Sequence, residues 1–204
     1  MLTVHHAQAG RSVRVIWLCE ELGLEYEVRT VDFKPEVLQS PTYLALHPLG
    51  QIPVLRDGGI TVYESGAILE YLLEQYGAGR LAPDRSAKRQ RAEYLQWFHF
   101  GEATLARRSS IITRNRFRMP KTDRVPEVLP QARRDYVAAL ELVETTLAAR
   151  PFICGDVFTA ADIMVSYGIT VGKLVGELPR DLPHVHGYLA RLKERSGYRC
   201  AWAS

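Results

Sequence analysis

The chain has 204 residues, a formal net charge of +3, and 47% hydrophobic against 24% charged residues. That length can bury ample core in one large or two small domains, and the balance is ordinary for a soluble globular protein. The charge is too small to argue for nucleic acid, no apolar run approaches a membrane helix, and no leading segment reads as a signal peptide. Cys19, Cys154 and Cys200 are widely spaced with no CxxC pair, which gives neither a disulfide framework nor a zinc site. A reducing compartment fits, with the cytoplasm as the default.

Taken in order, Leu2–His6 reads as a short strand and Ala7–Ser12 as a small-residue connection ending in a helix-capping residue. Val13, Ile16, Trp17 and Leu22 recur at helical spacing, and Gly23 is the expected stop. Tyr26–Val31 is a second strand. Lys34–Leu46 is polar and irregular, with a short helix around Pro41–Leu46.

The stretch from His47 to Leu55 then combines a turn with a proline entering a strand. Pro53 cannot donate a ladder hydrogen bond, and an X-Pro bond tolerates the cis form far better than any other. A cis bend there would turn the backbone of Ile52 outward, toward a peptide-like ligand. Gly58-Gly59 is a hairpin signal, so Ile52–Leu55 and Ile60–Tyr63 should pair antiparallel. Ser65 opens a helix to about Tyr76, and the free N–H groups of such a start favour a carboxylate. Together these features describe a site for a small anionic peptide.

Ala78–Asp84 reads as a linker between residues 1–77 and residues 85–204, and beyond it the pattern is helical throughout. Ala87–Arg108 is one long helix and Asp123–Ala149 another, with a kink expected near Pro130. Pro151–Val157 is a loop. Thr159 and Asp162 form a capping-box arrangement opening the helix Ile163–Val175, with Phe158 and Ile163 as its hydrophobic staple.

Ile52-Pro53 followed by Glu64-Ser65, with the capping box near residue 160, makes the chain similar to the cytosolic glutathione transferases over nearly its whole length. That resemblance implies a thioredoxin-like α/β domain followed by an all-α domain, a homodimer, and glutathione as co-substrate without a metal. It also implies that Ile52 pairs its backbone with the cysteinyl part of glutathione beside Pro53, while Glu64 and Ser65 hold the γ-glutamyl end. Gln51 is a candidate for the peptide backbone or glycyl end, or else a solvated turn residue. The capping box serves folding in that family.

A transferase must stabilise a thiolate whose unperturbed pKa is ~8.5. The candidates at the first helix start are Gly10, Arg11 and Ser12. With Arg14-Val15 and Glu20-Glu21-Leu22-Gly23 setting the register, the serine of the serine-type classes falls on Gly10 and the cysteine of the beta-type class on Arg11. Some bacterial classes use an arginine there, which Arg11 matches. A guanidinium stays protonated and can lower the thiol pKa electrostatically; the alternative for Arg11 is a solvated or carboxylate-paired loop residue. Ser12 could donate to sulfur or simply cap the helix. His5, His6 and His47 read as structural, and His184-Val185-His186 lacks partners at metal spacing, so no metal is assigned. Cys19, inside the first helix, suits a buried thiol.

Between Arg107 and Arg124 lie six arginines and Lys121 against the single acid Asp123. A solvated face accounts for them, and an acceptor pocket favouring anionic electrophiles is the sharper alternative. Trp97, Phe98, Phe100, Leu105 and Tyr167 could line an apolar pocket, with most of them expected in the core. The expected function is transfer of the glutathione thiolate to a small apolar or anionic electrophile. The alternatives are a glutathione-dependent peroxidase or disulfide reductase, and a non-catalytic glutathione-binding protein.

Overall fold

The computed structural model describes residues Met1–Ser204, which divide into two compact units: Met1–Leu81 with Lys193–Ser204, and Ala82–Leu192. In the first unit, β1 (Leu2–His6), β2 (Tyr26–Thr30), β3 (Val54–Asp57) and β4 (Ile60–Tyr63) form one sheet in the order β2-β1-β3-β4. β1 pairs parallel with β2 and antiparallel with β3, His5 facing Val54, and β3 pairs antiparallel with β4 through the Gly58-Gly59 turn. The parallel β1–β2 pair needs a crossover, which α1 (Ser12–Leu22) supplies. This is the thioredoxin-like α/β arrangement, with α4 (Ser65–Tyr76) following the hairpin.

Two short helices, α2 (Pro35–Leu38) and α3 (Pro41–Leu44), each begin on a proline whose missing N–H costs nothing in the first turn. The first lies in the stretch whose polarity suggests irregular chain, because only Leu38 of it is buried and its apolar signal is correspondingly weak.

Helix α1 is buried from Ser12 through Cys19 because both its sides are covered. The sheet and α4 take one side. On another lies α10 (Ser196–Ala203), where Tyr198 meets Trp17 edge-to-face with ring centroids 5.1 Å apart. Arg195 makes two hydrogen bonds to the Glu21 carboxylate, at 2.7 and 2.6 Å, and the Trp17 indole N–H donates to the same carboxylate at 2.9 Å. Residues 193–204 therefore pack with the α/β unit, whereas the sequence places all of 85–204 together. Spacing along the chain carries no sign of a contact between residues 174 positions apart.

The second unit is all helical: α5 (Lys88–His99), α6 (Arg107–Thr113), α7 (Val128–Leu147), α8 (Ala160–Leu174) and α9 (Pro183–Lys193). α5 and α6 are continuous through a π-helical stretch, Phe100–Ala106, and α6 ends in a second π-helical turn, Arg114–Arg118. The long helix thus extends beyond the Arg108 expected from sequence. A β-carbon on Gly101 would lie 2.7 Å from the Met164 carbonyl oxygen, so this residue type lets the helix approach α8. Pro130 falls in the first turn of α7, where no intrahelical N–H is required, and so produces no kink. The α8 start forms the expected box: Asp162 accepts from the Thr159 N–H (2.8 Å), and also from the Ile153 N–H (2.8 Å) and the Tyr188 hydroxyl (2.9 Å).

Candidate active site

The peptide bond between Ile52 and Pro53 is cis. Neither the N–H nor the C=O of Ile52 is taken up by another backbone group, since the β1 and β4 ladders reach β3 only at Val54. The preceding turn is pinned from beneath, where the Tyr43 hydroxyl donates to the Gln51 carbonyl at 2.9 Å and the Leu49 N–H donates to His47 Nδ1 at 3.1 Å. Gln51 itself is exposed.

Directly after β4, Glu64 adopts φ 72° and ψ 112°, a region that L residues occupy at a cost of about 1–3 kcal/mol. This abrupt turn ends the strand, leaves Glu64 exposed, and aims the start of α4 with the buried Ser65 beside it. The Ser65 hydroxyl accepts a 3.0 Å hydrogen bond from the guanidinium of Arg14, which is itself 1% exposed. In the sequence Arg14 marks register and carries no site role. Its signal was present as a lone charge among Val13, Val15 and Ile16, which a helix buries only if it has a partner.

The buried ring of His47 packs on Tyr63, the residue before Glu64, with ring centroids 4.7 Å apart. Burial lowers its pKa, opposed by the nearby negative charge of Glu64. The imidazole is therefore neutral near pH 7 and free to accept from Leu49.

At the other end of the unit's site residues, the loop between β1 and α1 is tightly bound to itself. The Gly10 N–H donates to the Ala7 carbonyl at 2.9 Å, and a β-carbon on Gly10 would sit 2.8 Å from that oxygen. Ala9 holds φ 54°. The Ser12 hydroxyl is fully buried, lies 2.9 Å from His6 Nδ1, and accepts from the Ala7 N–H at 3.2 Å. Ser12 thus braces the loop and presents no hydroxyl to solvent, so its reading as a sulfur donor lacks an exposed proton. Arg11 is half-buried and occupies the position immediately ahead of α1, with helical dihedrals of φ −62° and ψ −15°.

In the helical unit Trp97, Phe98, Leu105 and Tyr167 are all core residues, and only Phe100 of the five aromatic and apolar candidates is half-exposed. No group of three or more His, Cys, Asp or Glu comes together as a metal set, and His186 Nε2 lies 2.8 Å from the Pro179 carbonyl.

An α/β unit with a cis-proline turn and a sharp strand-to-helix turn at Glu64, joined in sequence to an all-helical unit, defines a two-unit protein with a thioredoxin-like fold. Comparison with known proteins specifies which. The glutathione S-transferase N-terminal domain matches residues 2–74 and the glutathione S-transferase C-terminal domain matches residues 126–191. Glutathione S-transferase 3 of Schizosaccharomyces pombe is 31% identical over 179 residues, spanning 83% of this chain and 73% of the relative. The glutathione transferase URE2P6 of Phanerochaete chrysosporium, solved with oxidized glutathione, superposes with a TM-score of 0.87 at 25% identity, covering 99% of this chain and 94% of that one. The theta class glutathione S-transferase of Xanthomonas axonopodis pv. citri, solved with glutathione bound, gives 0.84 at 28% identity, covering 100% and 97%. The chain belongs to the glutathione S-transferase family, and it is a glutathione transferase.

Proposed function

We propose that this enzyme conjugates the glutathione thiolate to a small apolar or anionic electrophile, with Arg11 as the group that stabilises the thiolate. The observation that carries the Arg11 assignment is the state of its neighbours. Gly10 has no side chain, and the Ser12 hydroxyl is held by His6 and Ala7, which leaves Arg11 as the donor at the helix start. The glutathione bound in the Xanthomonas relative supports the same tripeptide here. Ile52 would pair its backbone with the cysteinyl unit beside Pro53, and Gln51 would take the glycyl end. Ser65 and the N–H groups of α4, with Glu64, would hold the γ-glutamyl end.

Chemically, a free thiol of pKa ~8.5 is only about 3% thiolate at pH 7. Lowering that value by two units would make it mostly thiolate, which corresponds to about 2.7 kcal/mol of electrostatic stabilisation. A guanidinium hydrogen-bonded to sulfur is adequate for this, and it takes no proton itself. The thiol proton leaves to solvent, and the sulfur lone pair forms the new bond as the leaving group departs from the electrophile.

The test is ultraviolet titration of the bound thiol in wild type and Arg11→Ala. A bound pKa well below the free value that returns upward in the variant supports the reading. An unshifted pKa despite saturable binding refutes it. A second reading, glutathione-dependent disulfide or peroxide reduction, draws on the oxidized glutathione bound in the Phanerochaete relative, and turnover of mixed disulfides faster than of aryl halides would favour it. A cytoplasmic homodimer is the assembly and location this proposal includes; sedimentation equilibrium tests the former.

A further inference from the structure

The turn ahead of Pro53 rests on one buried tyrosine. Tyr43 of α3 lies in an apolar cluster with Ala7, Leu38, Ile52 and Val54, against which Val31 and Leu46 pack. It carries the only polar side-chain atom among these residues. That hydroxyl has one partner, the Gln51 carbonyl at 2.9 Å. Burial pushes the phenol pKa up to about 12, so the hydroxyl keeps its proton and is the donor in the bond. The ring fills the cluster; the hydroxyl acts on the backbone of the turn.

Local contacts hold that hydroxyl in place. Ser40 caps α3, accepting from the Tyr43 N–H at 3.3 Å and donating to the Val37 carbonyl at 2.7 Å. His5 on β1 meets the tyrosine ring edge-on, with ring centroids 6.3 Å apart. The turn itself closes at His47, whose carbonyl accepts from the Gly50 N–H at 2.8 Å. Tyr43 is thus the point at which a side chain of α3 grips the turn.

A trans peptide unit is planar, so its C=O and N–H point in opposite directions. The carbonyl of Gln51 and the N–H of Ile52 belong to one such trans unit. Anchoring the carbonyl on Tyr43 therefore aims the Ile52 N–H away from α3, and that N–H has no backbone acceptor within the chain. A hydrogen bond to the carbonyl also polarises the unit and strengthens its N–H as a donor. We infer that Tyr43 is a positioning residue for glutathione: its hydroxyl sets the Gln51–Ile52 peptide plane so that the Ile52 N–H meets the carbonyl of the cysteinyl unit. The inference rests on the reading above in which Ile52 pairs with that unit.

The experiment is calorimetric titration of glutathione into the full chain for wild type, Tyr43→Phe and Tyr26→Phe, at a temperature where all three are folded. Tyr26 donates its hydroxyl to Glu20 and pairs with Leu2, at the other end of β1 from His5, which faces Val54. Its variant therefore loses a tyrosine hydrogen bond of the same unit without touching the turn. Tyr43→Phe is expected to weaken glutathione binding about three- to tenfold, the range of one hydrogen bond, and to raise the KM likewise with kcat within about twofold. Tyr26→Phe leaves affinity and KM unchanged. In isotopically labelled free protein the Ile52 amide resonance moves in Tyr43→Phe and stays in Tyr26→Phe. Equal affinity in wild type and Tyr43→Phe overturns the inference, as does an unmoved Ile52 resonance. An equal loss of affinity in both variants also overturns it, since that marks a general loosening of the unit. A wild type that binds no glutathione refutes the glutathione reading itself, and the positioning role falls with it.

Discussion

The guanidinium of Arg14 on α1 donates to the hydroxyl of Ser65 at the start of α4, 3.0 Å away and 51 residues later in the chain. The contact ties together the two helices on which the candidate site is built. It also places a positive charge beneath the helix start proposed to hold the γ-glutamyl carboxylate, where the helix dipole has the same sign. Ser65→Ala is expected to raise the KM for glutathione about tenfold with little change in kcat, the pattern of lost ground-state binding. Arg14→Ala should do the same and also lower stability by about 2–3 kcal/mol, since it removes a charged hydrogen bond and leaves a buried gap. Steady-state kinetics and thermal melts separate the two effects.

Ser12 and Arg11 make opposite predictions despite being adjacent. Ser12→Ala should cost about 1 kcal/mol of stability through the lost bond to His6 while shifting the bound-thiol pKa little. Arg11→Ala should leave stability within about 0.5 kcal/mol and raise the bound-thiol pKa. Denaturant unfolding alongside the ultraviolet titration checks both; a reversed pattern would transfer the chemistry to the hydroxyl.

Acidification should weaken the α/β unit. Burial lowers the pKa of His5, His6 and His47 from the ordinary 6.5, with the charges of Arg29 and Arg56 adding to the effect at His5. The unfolded chain therefore takes up protons first as pH falls below 6.5, and the folded state must resist them. Stability is full above that value and declines as pH drops through the lower folded pKa values. Urea midpoints at pH 7.5 and 5.5 should differ in that direction, and His6→Gln should reduce the difference.

Glu177 is bound by Arg133, at 2.8–3.1 Å, and by Arg116. Burial would raise its carboxyl pKa, but these two guanidinium groups outweigh it and hold the value below the ordinary 4.5. The interaction is retained above pH 4.5 and lost as pH falls through the depressed folded value. Glu177→Gln should destabilise the helical unit by about 1–3 kcal/mol at pH 7, and that difference should shrink on acidification below pH 4.5.

Much of this architecture can be read from local signals. The hairpin, the cis-proline turn and the capping box each announce themselves through residues with special backbone chemistry, and Ser65 opens α4 as its sequence position suggests. Arg14, by contrast, is intelligible only when α4 is known to lie against α1. The hydrogen bond between the Ser12 hydroxyl and His6 is equally hidden, because the inward orientation of His6 depends on the strand's register. Pro130 misled through position: the same residue bends a helix from its middle and is harmless in its first turn. The π-helical stretches left no trace in periodicity, since one inserted residue shifts the apolar rows without erasing them.

The docking of α10 on α1 has a consequence for how the protein is made. Residues 82–192 are synthesised between the two segments of the α/β unit, so the helical unit has all its own chain while its neighbour still lacks the surface that covers Trp17. At ribosomal rates of about 5–20 residues per second, the twelve residues from Lys193 follow within about 0.6–2.4 s. During synthesis the nascent α1 waits with that indole uncovered for the whole passage of the intervening helices. The order of completion is therefore the reverse of the order in which the two units begin.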